Sequence, residues 1–110
     1  MPMELTKLKC KPCKKETSPL TIPEIQKYKP DIDSDWSILD DKKITREYFF
    51  DNYPQTIAFV NKVANLAENE GHHPVIHIYF AKIRVDLWTH AIDGLSTNDF
   101  ILAAKMDELY

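Results

Sequence analysis

The side chains here that could do chemistry are four histidines, two cysteines and a scatter of carboxylates, and the histidines are unevenly spread. His72 and His73 are adjacent and run into Pro74, His77 follows, and His90 lies seventeen positions beyond His73. Imidazole titrates near neutral pH, so several rings converging on one spot would suit both proton donation and proton acceptance. Glu68 precedes His72 by four residues and is placed to orient an imidazole by hydrogen bonding.

Metal binding is the rival chemistry for a His-His-Pro-x-x-His run. Zinc needs three or four converging ligands. A helix would put His73 and His77 on one face, but Pro74 opposes that helix. On a strand the two would stand roughly 13 Å apart at about 3.3 Å per residue, too far for one ion. Cys10-x-x-Cys13 has no second such pair in the chain, and no thioredoxin-like βαβ pattern surrounds it. No metal and no cofactor is expected, and Cys10 and Cys13 read as reduced thiols on a mobile arm.

Several elements must position these groups. Met1 to Pro19 is lysine-rich and proline-punctuated, with little to bury, and reads as a loosely ordered N-terminal arm before a single domain over residues 20–110. Thr21 can cap a short helix over Ile22 to Tyr28, with Pro23 tolerated in its first turn. Trp36 to Leu39 and Lys43 to Phe49 read as strands around a polar Asp40-Asp41-Lys42 turn. From Asn52 to Glu70 the period changes, and Tyr53, Ile57, Val60, Ala64 and Ala67 recur at helical steps, with Asn52 as cap and Gly71 past the end. Val75 to Trp88 alternates as a hairpin. Ser96 opens the last helix, Asp99 standing at the third helical position of a capping box. The order is α-β-β-α-β-β-α, and the expected fold is α+β: a four-stranded antiparallel sheet with helices packed on one face.

The hairpin is what gathers the histidines. With Ala81-Lys82 as a two-residue turn, Phe80 pairs with Ile83, Ile78 with Val85 and Ile76 with Leu87, all apolar and all on one face. The other face then pairs His77 with Asp86, and the same ladder carried outward sets His73 opposite His90, with Cβ atoms about 4.5–5.5 Å apart. His72 lies at the mouth of the same site. His77, one surface histidine facing an aspartate, reads as incidental.

Composition narrows the function classes. The 110 residues are 44% hydrophobic, enough for a real core, and two glycines leave no glycine-rich phosphate loop. A net charge of −3 offers no basic stripe for nucleic acid. The polar opening lacks the apolar run of a secretory signal, and no stretch approaches the roughly 20 apolar residues of a spanning helix. A cytoplasmic location without membrane contact is the expectation.

Glu68-Asn-Glu-Gly-His72-His73-Pro74, an aromatic at Tyr79 or Phe80, Thr89-His90 and Gly94-Leu95-Ser96-x-x-Asp99 together resemble the signature of the pterin-4a-carbinolamine dehydratases. Pro19-Leu20-Thr21 with Glu24 is similar to the family's opening helix, and the Lys-Cys-Lys-Pro-Cys arm to that of bacterial members. The resemblance spans Leu8 to Leu109, and it implies the α+β fold read above. It further implies dehydration of a 4a-hydroxytetrahydropterin, the by-product of aromatic amino acid hydroxylases, to the quinonoid dihydropterin, with the pterin as substrate and no cofactor. His72, His73 and His90 match the family's site histidines, Glu68 and Asp99 its supporting carboxylates, and Pro74 and Thr89 flank the substrate position. On this reading His73 and His90 share the proton work and His72 helps hold the pterin. Trp88 departs from animal forms, where a small residue is common. A homodimer or homotetramer is implied, with phenylalanine hydroxylase as a functional partner. Animal members also act as dimerisation cofactors of a homeodomain transcription factor, which keeps an interaction module as the alternative.

Overall fold

The computed structural model describes residues 5–12 and 17–110. Its regular elements are α1 (Ile22–Tyr28), β1 (Ser37–Leu39), β2 (Lys43–Phe49), α2 (Tyr53–Glu70), β3 (Val75–Ile78), β4 (Lys82–Leu87) and α3 (Thr97–Leu109). The four strands form one antiparallel sheet in the order β1-β2-β4-β3, the expected α+β architecture. No helix among the described residues is long and apolar enough to cross a membrane.

Local chemistry explains where each helix starts and stops. Thr21 and Glu24 close a reciprocal capping box on α1, the Glu24 carboxylate taking the Thr21 amide at 2.9 Å. Those hydrogen bonds hold the Glu24 carboxyl below its ordinary range. Asn52 Oδ1 accepts the Gln55 amide at 2.9 Å to open α2. Gly71 ends it in the left-handed conformation at φ 67°, where a side chain would be strained.

The sheet is two-faced with the period of a strand. Ile44, Arg46 and Tyr48 of β2 and Ile83, Val85 and Leu87 of β4 point inward under the helices and are buried. They meet Phe59 and Val63 of α2 and Phe100, Leu102, Ala103 and Met106 of α3 in one core. A polar hub pins α3 to the sheet within it. Asp107 Oδ1 accepts from Arg46 Nη1 at 2.7 Å, Tyr48 Oη at 2.9 Å and Trp36 Nε1 at 3.0 Å, while Oδ2 accepts the Asp33 amide at 3.1 Å. Burial and the neighbouring Asp107 charge push the Tyr48 phenol above its ordinary value.

Three expectations need correction. The β3–β4 ladder pairs Ile78 with Ile83, His77 with Arg84 and Ile76 with Val85, two residues out of the expected register. The connection is the wider loop Tyr79–Ala81, closed by the Tyr79 amide on the Lys82 carbonyl, in keeping with the poor fit of Ala-Lys to the positive φ angles of a two-residue turn. Phe80, expected in the buried face, is 72% exposed and stacks on Tyr53. On α2 the buried stripe is Thr56, Phe59, Val63 and Ala67, so of the expected apolar series only Ala67 is fully covered. Finally, residues 5–12 do not lie loose. Leu5 is 2% exposed within the core, and the Cys10 and Lys11 amides donate to Glu70 Oε1 at 3.0 Å and Asn98 Oδ1 at 2.9 Å. Cys13 lies outside the described residues.

The Asp107 hub yields a stability prediction. Replacing Asp107 by Ala leaves the buried Arg46 and Tyr48 without their shortest partner, and orphaned buried polar groups of this kind cost about 2–4 kcal/mol. Urea denaturation of D107A should show that loss with an unchanged slope; a loss below about 1 kcal/mol would refute the hub's role.

Candidate functional site

The left-handed Gly71 turns the chain back at the end of α2, so that the His72 amide still bonds to the Ala67 carbonyl at 3.2 Å while its side chain meets the start of α3. There His72 Nε2 lies 2.6 Å from Asp99 Oδ1. Asp99 has no exposure to solvent, and its other oxygen accepts the Thr89 hydroxyl and the Ser96 amide, both at 2.9 Å. The bond from Ser96 is the reaching-back half of a capping box. Asp99 therefore caps α3 and fixes an imidazole with the same carboxyl group. Since Thr89 gives its proton to Asp99, the Ser96 hydroxyl must donate to Thr89 across their 2.7 Å contact. His72 is accordingly held as the Nε2–H donor, which leaves Nδ1 for other work.

Thr89 is an extended residue (φ −97°, ψ 105°) between β4 and a short 3₁₀ turn over His90–Ile92. Alternation then turns Thr89 inward to Asp99 and His90 to the other side. The turn is closed by the Thr89 amide on the Gly94 carbonyl at 2.8 Å. Gly94 itself has no room for a side chain, since a Cβ there would stand 2.8 Å from that of Pro19.

His72, His73 and His90 line one cleft of about 510 Å³, together with Pro74, Thr89, Gly71, Val75, Ala91, Asn98 and the arm residues Lys11 and Pro12. The three imidazoles do share a site, but not through the expected ladder. The β3–β4 pairing stops at Val75 opposite Asp86; His73 stands in the loop before β3 and His90 in the 3₁₀ turn after β4. Asp99 lies behind the cleft wall as the support of His72. Glu68 reaches His73 Nε2 at 3.2 Å, both side chains being mostly exposed, so the pair orients the ring and adds little energy. His77 is elsewhere, on the outer sheet face, with Nε2 3.0 Å from Asp86. Among the described residues no three of His, Cys, Asp and Glu gather to hold a metal ion.

Sequence reading missed the arm as a wall of this cleft. Asn98 receives the Lys11 amide and donates its own amide to the Lys11 carbonyl, while Glu70 takes the Cys10 amide and Lys105 Nζ, the latter at 2.9 Å. Burial opposes ionisation of Glu70, but those donors outweigh it and hold the carboxyl below its ordinary value. Burial first, and then the charge of Glu70, pushes the Cys10 thiol up to about 12.

Two measurements follow from this geometry. With Cys13 replaced by Ser, so that Cys10 alone reports, alkylation by iodoacetamide at pH 8 should run at least about tenfold slower in the native protein than in urea, and should accelerate only as pH rises toward 12. Equal rates would mean the arm is not seated. Nitrogen-15 NMR should show His72 as the Nε2–H tautomer, and D99A should scramble that tautomer and cost about 1–3 kcal/mol through the orphaned donors. An unchanged His72 spectrum in D99A would contradict the network.

The sequence profile of the family Pterin 4 alpha carbinolamine dehydratase matches residues 18–109. A protein of Nitrosomonas europaea, provisionally named a pterin-4-alpha-carbinolamine dehydratase, is 45% identical over 107 residues, covering 97% of this chain and 94% of its own. A counterpart with the same provisional name from Alkaliphilus metalliredigens is 39% identical over 104 residues, 94% of each chain. Among solved structures, the transcriptional coactivator/pterin dehydratase from Brucella melitensis superposes with a TM-score of 0.77 at 27% identity, covering 84% of this chain and 98% of that one. A pterin dehydratase-like RuBisCO assembly factor of the alpha-carboxysome superposes with a TM-score of 0.59 at 26% identity, over 67% of this chain and 87% of that one. With a profile running nearly the length of the domain and relatives matched almost end to end, the chain belongs to the pterin-4-alpha-carbinolamine dehydratase family.

Proposed function

We propose that the chain dehydrates a 4a-hydroxytetrahydropterin to the quinonoid dihydropterin. One observation carries the reading: three imidazoles line a single cleft, one of them fixed by a fully buried carboxyl group. A volume of about 510 Å³ lies within the range of small-molecule sites, and the family supplies the substrate class.

The reaction needs two proton transfers and no redox partner. The C4a–O bond breaks with its electron pair on oxygen, and an imidazolium gives that oxygen a proton so that it leaves as water. The N5 lone pair forms the N5=C4a double bond, and a neutral imidazole takes the proton from N5. His73 and His90 are the proposed acid and base. His72, tied to Asp99 through Nε2, presents Nδ1 to the pterin and helps to hold it. Pro74 and Thr89 shape the wall between them, and the pterin is substrate, with no cofactor called for. Such a pterin arises from aromatic amino acid hydroxylation, which makes phenylalanine hydroxylase the proposed source and the cytoplasm the proposed setting. By family analogy the proposed assembly is a homo-oligomer, dimer before tetramer, and the partly uncovered residues Ile57, Val60 and Ala64 of α2 offer it an apolar surface. Light scattering that finds only monomer at working concentration would refute that assembly.

A binding role is the second reading, favoured by the occurrence of this fold in an assembly factor. Binding alone would survive loss of a proton-transfer group. The ultraviolet absorbance of freshly made 4a-hydroxytetrahydropterin should decay faster with the protein present, and H73A and H90A should each lower kcat/KM by roughly 10²–10⁴ while remaining folded. H77A, on the outer sheet face, should keep wild-type activity. Full activity in both H73A and H90A would exclude the catalytic assignment.

A further inference from the structure

The three cleft imidazoles are held in different ways. His72 and His73 are each tied to a carboxyl group, whereas neither ring nitrogen of His90 bonds to any described residue. His90 is exposed, and its ring is instead laid flat against Trp88, with centroids 4.1 Å apart and planes 14° from parallel. The arrangement follows from the backbone. With Thr89 extended, Trp88 and His90 sit at i and i+2 and project to the same side, while Thr89 turns inward to Asp99. The indole is anchored in turn by Lys43 at the start of β2, whose Nζ stands 4.1 Å from its centroid.

We infer that Trp88 is a positioning residue for His90, aligning the imidazole with the cleft by stacking so that both its nitrogens stay free for proton transfer. A hydrogen bond would occupy one nitrogen and select one tautomer; a ring face occupies neither. The stack also restricts rotation of an exposed side chain that would otherwise have to be ordered in each turnover. Trp88 contributes little else: it is only half-buried, and the neighbouring core position is filled by Leu87.

The kinetic part of this inference rests on the dehydratase reading, so the test has two independent arms. In the first, His90 ring proton resonances should lie upfield in the wild type from the indole ring current, stay upfield in Trp88→Phe and move to random-coil values in Trp88→Leu. In the second, Trp88→Leu should lower kcat by roughly three- to tenfold with KM within about twofold, and Trp88→Phe should restore most of the loss. Unfolding midpoints should be alike for all three proteins. Unchanged His90 resonances in Trp88→Leu would overturn the stack, and displaced resonances with unchanged kcat would overturn its catalytic part. A wild-type protein without dehydratase activity would remove the reaction and that catalytic part together, leaving the stack to be decided by the resonances alone.

Discussion

A carboxyl group wholly removed from water must have its oxygens answered by donors, and this one condition at Asp99 organises the cleft. The donors come from three places along the chain: the turn after α2, the segment after β4 and the cap of α3. Each arrives with its own side chain already committed. His72 is thereby fixed in tautomer, Thr89 in rotamer, and the first turn of α3 in position. Because Thr89 faces inward, its neighbours Trp88 and His90 must face the other way. One buried carboxyl thus sets the aim of two of the three imidazoles, one directly and one through backbone alternation.

The far end of α3 repeats the device for a different purpose. Asp107 gathers Arg46, Tyr48 and Trp36 beneath the sheet, about 12 Å along the helix from Asp99 at 1.5 Å per residue. The helix is thus tied by one aspartate to the site and by the other to the sheet. Apolar packing between them fixes the distance, through Phe100, Leu102, Ala103 and Met106. The site inherits its rigidity from that core.

Local signals were legible and non-local ones were not. Thr21, Asn52, Gly71 and Ser96 mark helix ends through contacts within four residues, so the bounds of α1, α2 and α3 follow from the sequence. The hairpin register does not, because a slip of two leaves every side chain on its proper face, and face consistency cannot distinguish the two ladders. For α2 the apolar series Tyr53, Ile57, Val60 and Ala64 competes with Phe59 and Val63, and only the neighbouring core decides between stripes a fraction of a turn apart. His72, His73 and His90 were found as a constellation by spacing. Asp107 and Asn98 were not, since nothing near either in the chain tells which distant groups will need an acceptor.

The seating of residues 9–12 has a consequence for how the site comes into being. Lys11 waits on Asn98, 87 positions later, and Cys10 on Glu70, 60 positions later. A chain made from its N-terminus must keep this stretch solvated until α3 exists, and the loop closed by the first of these contacts is among the longest the chain allows. The wall that Lys11 and Pro12 give the cleft is therefore among the last parts to be assembled, and completion of the cleft should trail the burial of the core.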